Sequence, residues 1–341
     1  MDEEANERHG RVTIHDVAAA AGVSKSTVSR ILDERLPRSE SDTARRVREV
    51  ATRLGYVRDV SAASLRRGQT NTIGVIVPRL TDTVMAMLYE ALARACARSG
   101  RFAIVATTED EPHADRTAAQ TLLQRGVDGL VLSTAREGDD FAGELADRGV
   151  PFVLALRSDG RSLASVGDDR LGGYLATRHL LDLGHRRIGI IAGPGYASSS
   201  KGRLEGYEQA LREAGVPLDP ALVVESTFGI DSGAEAAERL MNLPQPPTAL
   251  FAVNDNTAIG ALSTLARRGL SVPGDVSLVG YNDIPIVSRL PIPLTTVRVP
   301  FDQIASAALE LMTRPPDMAG ARLRIAAPTL IPRRSTASPR R

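Results

Sequence analysis

The chain has 341 residues, 43% of them hydrophobic and 24% charged, with a formal net charge of +1, one cysteine and no tryptophan. That length is too great for one ordinary core and suits a small domain followed by a larger, two-lobed one. The near-balanced charge excludes a uniformly basic or acidic chain, and no apolar run of about 18 residues is present to span a membrane. Charge is unevenly placed, however. Between Arg11 and Thr70 twelve basic side chains face seven acidic ones, a local surplus that fits contacts to phosphates.

In chain order, residues 1–10 are polar and acidic, read as a disordered tail and not as a signal peptide. Residues 12–32, VTIHDVAAAAGVSKSTVSRIL, predict two short helices joined by a tight turn. Thr13 and Asp16 have capping-box spacing, Gly22 stops the first helix and Ser24 caps the second. At 100° per residue Lys25, Ser26, Ser29 and Arg30 share one face of that second helix, while Val28 and Ile31 point away, toward Val17 and Ala18. Such a pair offers its polar face to a DNA major groove, the competing reading being a helical hairpin with a solvated face. Ser41 to Gly55 predicts a third helix, with Val47, Val50 and Leu54 as its apolar stripe. Asp59 to Arg67 reads as a helix of about two turns, too short to persist alone.

From Thr72 the pattern changes to strands alternating with helices: TIGVIVP, RFAIVATT, DGLVLS and PFVLAL, then RRIGIIAG, VVEST, TALFAV and SLVGY, with a helical stretch between successive strands. This rhythm predicts two successive lobes with parallel sheets and right-handed crossovers, and ligands of such sheets lie beyond the strand carboxyl ends. Cys96 falls in a helical run and has no partner, so a reducing compartment is expected and a buried helix residue is its ordinary reading. Enzyme chemistry has little support: Gly193-Pro194-Gly195 lacks both the dinucleotide fingerprint and the P-loop lysine spacing, and His179 and His185 have no neighbouring ligand set for a metal. No cofactor and no metal are expected.

Thr13 through Arg30 resembles the DNA-binding headpiece of the LacI/GalR family, whose pattern runs T-I-x-D-V-A-x-x-A-G-V-S-x-x-T-V-S-R. The resemblance continues through His179–Pro194, Ala252–Leu262 and Val279–Arg298. It implies an all-α helix-turn-helix headpiece plus an α/β, two-lobed, periplasmic-binding-protein-like domain with doubly wound parallel sheets. The implied division is a helix-turn-helix domain over 11–58, a hinge helix and linker over 59–70, and an effector-binding domain over 71–335. Its first lobe would comprise about 71–168 and 300–326, its second about 169–299 and 327–335, leaving 336–341 as a disordered tail.

On the recognition helix, Lys25, Ser26 and Arg30 are expected to contact bases and Ser24, Thr27 and Ser29 phosphates; Arg30 could equally hold a phosphate or a headpiece carboxylate. Leu65, with Ala62, matches the minor-groove hinge of the family, against a plainer role in packing. The family's usual proline, asparagine and arginine there are Arg58, Asp59 and Ala63. In the cleft, Arg203, Ser199, Phe228, Asn254 and Asn282 match effector-facing positions, the two asparagines having loop capping as their plainer role. Leu156 stands where some sugar-binding members carry an acid, and Ala197 replaces the arginine of purine-sensing members. The expectation is a cytoplasmic, dimeric, ligand-responsive repressor that binds pseudo-palindromic operator DNA and a small molecule, a sugar being favoured. A sugar-binding transport receptor and a small-molecule enzyme on the same fold are the alternatives.

Overall fold

The computed structural model describes residues 12–33, 37–56, 69–314 and 321–340, and the chain falls into two units that divide after Thr70. The hinge positions Arg58, Asp59, Ala62, Ala63 and Leu65 and the tail 1–10 lie outside the described residues. Among the described residues no helix is long and apolar enough to cross a membrane.

The first unit contains three helices, α1 (Ile14–Ala21), α2 (Lys25–Ile31) and α3 (Asp42–Arg53). Each begins and ends for a local reason. The Asp16 carboxylate accepts from the Thr13 N–H at 2.7 Å and hydroxyl at 2.8 Å, Ser24 accepts from the Thr27 N–H and Ser41 from the Ala44 N–H, satisfying donors that the first turn leaves free. Gly22 ends α1 in the left-handed region at φ 64°, where a side chain would be strained. Val17, Ala18, Ala21, Val28, Val47, Val50 and Ala51 close the core, with Ile31 half-buried beside them.

The second unit holds two six-stranded sheets. The first comprises β1 (Thr72–Val77), β2 (Phe102–Thr107), β3 (Gly129–Leu132), β4 (Phe152–Ala155), β5 (Ala164–Gly167) and β11 (Leu323–Ala326), in the order β11-β5-β4-β3-β1-β2, all parallel. The second comprises β6 (Ile188–Ala192), β7 (Val223–Glu225), β8 (Ala249–Ala252), β9 (Ser277–Asn282), β10 (Thr295–Arg298) and β12 (Thr329–Ile331), in the order β12-β10-β9-β8-β6-β7, with only β12 antiparallel. The intervening helices are α4 (Thr83–Arg98), α5 (Pro112–Gln124), α6 (Phe141–Asp147), α7 (Asp169–Asp182), α8 (Ser198–Glu213), α9 (Ile230–Met241), α10 (Asp255–Arg267) and α11 (Phe301–Thr313). Helices cover both faces, so β3, β6, β8 and β9 are buried along their whole length. Such strands read as unbroken apolar runs. The edge strand β2 instead alternates and leaves Phe102 exposed.

The chain crosses between sheets after β5, after β10 and between β11 and β12. Helices α7 and α8 pack closely enough that a Cβ on Gly173 would lie 2.1 Å from the Arg203 carbonyl oxygen, and one on Gly206 2.1 Å from that of Arg170. Only glycine permits this approach, which sets where α8 delivers Arg203.

The end of the chain departs from the expectation of a disordered tail. Thr336 bonds His179 and Thr295, the Ala337 carbonyl is 2.9 Å from His185 Nε2 and accepts from the Ser277 hydroxyl at 3.0 Å, and Arg340 pairs with Asp275 at 2.6 Å. A polar composition suggests solvent, but these hydroxyls and backbone groups find fixed partners on the second sheet and on the helix and loops beside it. They also account for His185, which is buried as a structural hydrogen-bonding residue.

Candidate functional site

The first unit presents its polar helix face to solvent. Lys25, Ser26 and Arg30 are exposed, Thr27 and Ser29 half-buried, and Val28 fully buried. The hydroxyl of Ser24 lies 2.8 Å from that of Ser26 and 2.9 Å from that of Thr27, so the capping residue also organises its neighbours. Lys25 Nζ is 2.9 Å from His15 Nε2 on α1, an ordering contact that sequence reasoning missed because the turn alone brings residues ten apart together. Arg46 fastens α3 to α1 through the Ala21 carbonyl at 3.2 Å.

In the second unit, a cavity of about 350 Å³ lies between the sheets. Its walls are the segments that follow strands: Pro78 and Arg79 after β1, Glu109 and Asp110 after β2, Arg136 after β3, and Leu156 and Arg157 after β4. From the other sheet come Tyr196, Ser199 and Arg203 after β6, Phe228 after β7, Asn254 after β8, and Asn282 at the end of β9. All five residues expected at the effector site, Ser199, Arg203, Phe228, Asn254 and Asn282, therefore line one cavity. Glu109, Asp110, Leu156, Phe228 and Asn282 have φ between 55° and 101°, a conformation that costs free energy and gathers at ligand sites.

Their side chains differ in how far they are committed. Arg203 donates to Asp169 at 2.8 Å through Nε and to the Val253 carbonyl at 2.7 Å through Nη1, with its guanidinium 3.8 Å from the Tyr281 ring centre. Burial works against its charge, and the adjacent Asp169 carboxylate more than offsets this, so Arg203 stays cationic. Asn254 caps α10, accepting from the Thr257 N–H at 2.8 Å, and donates to the Phe228 carbonyl at 2.9 Å. The capping role is thus the one its amide fills, and through it Asn254 holds Phe228 in place. The Phe228 ring lies where a Cβ on Gly193 would sit 2.5 Å from it. Asn282 is 3% exposed and lines the cavity, without a side-chain hydrogen bond among the described residues.

A charged cluster unforeseen in the sequence joins the two walls. Arg157 forms a two-point pair with Asp110, at 3.0 and 3.3 Å, and the Tyr196 hydroxyl donates to the same carboxylate at 2.7 Å. Burial alone would raise the Asp110 carboxyl, but Arg157 and these hydrogen bonds hold it below the usual carboxylate range. Asp82, whose burial pushes its carboxyl up, accepts from Asn256 at 3.0 Å. The Glu137 N–H donates to the Tyr196 carbonyl at 2.9 Å and the Ser158 N–H to the Ser198 hydroxyl at 2.8 Å. Lys201 also pairs with Glu137. Apart from the Arg157–Asp110 pair, which lies within the first lobe, each of these bonds links one lobe to the other, so the lobes stand closed over the cavity. These residues had no visible motif: only the fold brings single loop residues from separate strands together.

A DNA-binding helical domain joined to a two-lobed ligand-binding domain defines a ligand-responsive transcription regulator. Residues 13–59 match the model of bacterial regulatory proteins of the lacI family, and residues 177–336 match that of a periplasmic binding protein-like domain. The chain is 33% identical over 303 residues to the HTH-type transcriptional regulator DegA of Bacillus subtilis, covering 87% of this chain and 89% of that one. To the ribose operon repressor of Escherichia coli it is 34% identical over 304 residues, covering 88% and 92%. The solved lac repressor dimer bound to operator and the anti-inducer ONPF aligns with a TM-score of 0.85 at 27% identity, over 96% of this chain and all of that one. The chain belongs to the lacI family of bacterial regulatory proteins, whose members regulate transcription and are not enzymes.

Proposed function

We propose that the chain is a cytoplasmic, homodimeric repressor whose affinity for a pseudo-palindromic operator is set by a sugar or sugar derivative held between its lobes, and that it has no catalytic activity of its own. The observation that carries this reading is the convergence of Ser199, Arg203, Phe228 and Asn282 on one cavity at the strand carboxyl ends, in a chain that also carries an exposed Lys25–Arg30 helix face. Amide, hydroxyl and guanidinium groups beside an aromatic ring suit a polyhydroxylated ligand. The ribose operon repressor and the operator-bound lac repressor dimer support sugar and operator as the two ligands.

In this reading Lys25, Ser26 and Arg30 contact bases, Ser24, Thr27 and Ser29 contact phosphates, and Ala62 and Leu65 of the hinge enter the minor groove. The division at 11–58, 59–70 and 71–335 separates DNA binding, hinge and effector binding. Phe102 and Ile104 stand exposed on one face of the edge strand β2, apolar surface of the kind a second copy covers. Ligand binding favours one arrangement of the lobes, and the spacing of the two headpieces follows.

The test is selection of duplexes from a random pool by the full-length protein, followed by mobility shift at fixed salt. A palindromic consensus and loss of the specific shift with Arg30→Ala are expected. Absence of a consensus, or an unchanged shift with Arg30→Ala, would refute the recognition-helix assignment.

A further inference from the structure

Arg136 stands apart from the other cations of the cleft. Its side chain is 19% exposed, its Nε is fully buried with no partner, and its guanidinium donates no hydrogen bond among the described residues. Its nearest carboxylate oxygen, on Asp110, is 3.7 Å away, beyond hydrogen-bonding distance. Asp110 is already engaged by both terminal nitrogens of Arg157 and by the Tyr196 hydroxyl. One carboxylate therefore serves two guanidiniums. Asp82, a half-buried acid that also lines the cleft, is held by Asn256 and the Val84 N–H.

What keeps Arg136 in place is the Tyr196 ring from the opposite lobe, 4.0 Å from the guanidinium carbon. A ring face attracts a cation but satisfies none of its in-plane donors. On one side Arg136 borders, with Asp115 and Asp139, a cavity of about 20 Å³, which has room for little more than a water. It also borders two larger spaces, the 350 Å³ cleft and a pocket of about 430 Å³ that Glu137, Asp139 and Lys201 line with it; the cleft is the one that Tyr196 and Asp110 share with Arg136, and a ligand held there can reach the guanidinium. A planar guanidinium with unused donors is the group best matched to a carboxylate or phosphate, which it can meet at two points.

We propose that Arg136 is an anion receptor within the cleft, and that the effector is a polyhydroxy compound carrying one carboxylate or phosphate group. This rests on the cleft being the effector site. Because the ring stacked on Arg136 comes from the other lobe, an anion bound there touches both sides of the closure.

The test uses the full-length protein in thermal-shift assays and titration calorimetry at constant ionic strength. The probes are D-glucose, D-gluconate and D-glucose 6-phosphate, D-ribose and D-ribose 5-phosphate, and inorganic phosphate. Anionic members are expected to stabilise the wild type more than their neutral counterparts, gluconate against glucose 6-phosphate separating a carboxylate site from a phosphate site. Arg136→Gln should lose about tenfold or more in affinity for the anionic ligand, with Arg136→Lys retaining part of it. Unchanged affinity in Arg136→Gln, a neutral sugar binding at least as tightly as its anionic counterpart, or no stabilisation by any anion would each overturn the proposal. Asn282→Gly, which keeps the positive φ unstrained, separates the two layers of the argument. A ligand lost in Asn282→Gly but kept in Arg136→Gln leaves the cleft assignment standing and removes Arg136. A ligand kept in both variants removes the cleft assignment itself.

Discussion

Arg203 lines the cleft, but its first task is structural, and Arg203→Met separates that task from the ligand contact proposed for it. The guanidinium is the partner of the Asp169 carboxylate, whose side chain is 12% exposed, and of the Val253 carbonyl. Methionine fills most of the volume over the Tyr281 ring but leaves both acceptors buried and unmatched. Removing one member of a buried ion pair costs about 3–5 kcal/mol, because the other charge stays desolvated. In a domain of this size each kcal/mol moves the midpoint by about 2–4 °C, so a fall of about 6–20 °C is expected. Differential scanning calorimetry is the suitable assay, since the chain has no tryptophan to report by fluorescence. Adding Asp169→Asn to Arg203→Met should recover part of the loss, the carboxylate no longer having a charge to strand. A drop under about 3 °C, or a double variant as unstable as the sum of the singles, would refute the reasoning and make Arg203 a ligand residue alone.

Burial pushes the Asp255 carboxyl up to about 7 despite bonds from Thr296 and the Ile284 N–H. The folded state then keeps a proton that the unfolded chain releases near 3.8, so this contribution is present at low pH and is lost as pH rises toward 7. Urea titrations followed by circular dichroism should show Asp255→Asn gaining stability relative to wild type between about pH 4 and 7, by a few kcal/mol; a flat difference would contradict the shift. Tyr196→Phe deletes the hydroxyl bond to Asp110 and should weaken lobe closure by about 1 kcal/mol, or about fivefold. Hydrogen exchange at the Glu137 amide, bonded to the Tyr196 carbonyl across the cleft, should accelerate by that factor, and an unchanged rate would count against Tyr196 as a closure contact.

The headpiece was legible because its signals are local: caps at Thr13, Ser24 and Ser41, a left-handed glycine, and an apolar stripe three and four residues apart. The central strands were equally plain, their burial on both faces leaving uninterrupted apolar runs. Strand β5, with the sequence ASVG, carried no such signal, since four small residues pair only because β4 and β11 flank them. The five positions expected to face an effector came from resemblance to a family, and all five line one cavity. Asp110, Arg136, Arg157 and Tyr196 escaped notice because their meaning lies in contacts between loops 20 to 90 residues apart. The tail misled for the opposite reason: its polar residues resembled solvent-facing chain, and their partners lie on a helix, strands and loops of the second lobe far away in sequence.

The central claim is that occupancy of the cleft and binding of operator are coupled, and reciprocity provides the direct test. With an operator duplex selected by the protein and a ligand that stabilises it, operator affinity is measured by fluorescence anisotropy with and without saturating ligand. Ligand affinity is then measured by calorimetry with and without saturating operator. The account predicts that each changes the other by the same factor, as linkage requires, and that the factor collapses toward one in a variant that no longer binds ligand. Operator affinity that saturating ligand leaves unchanged would contradict it.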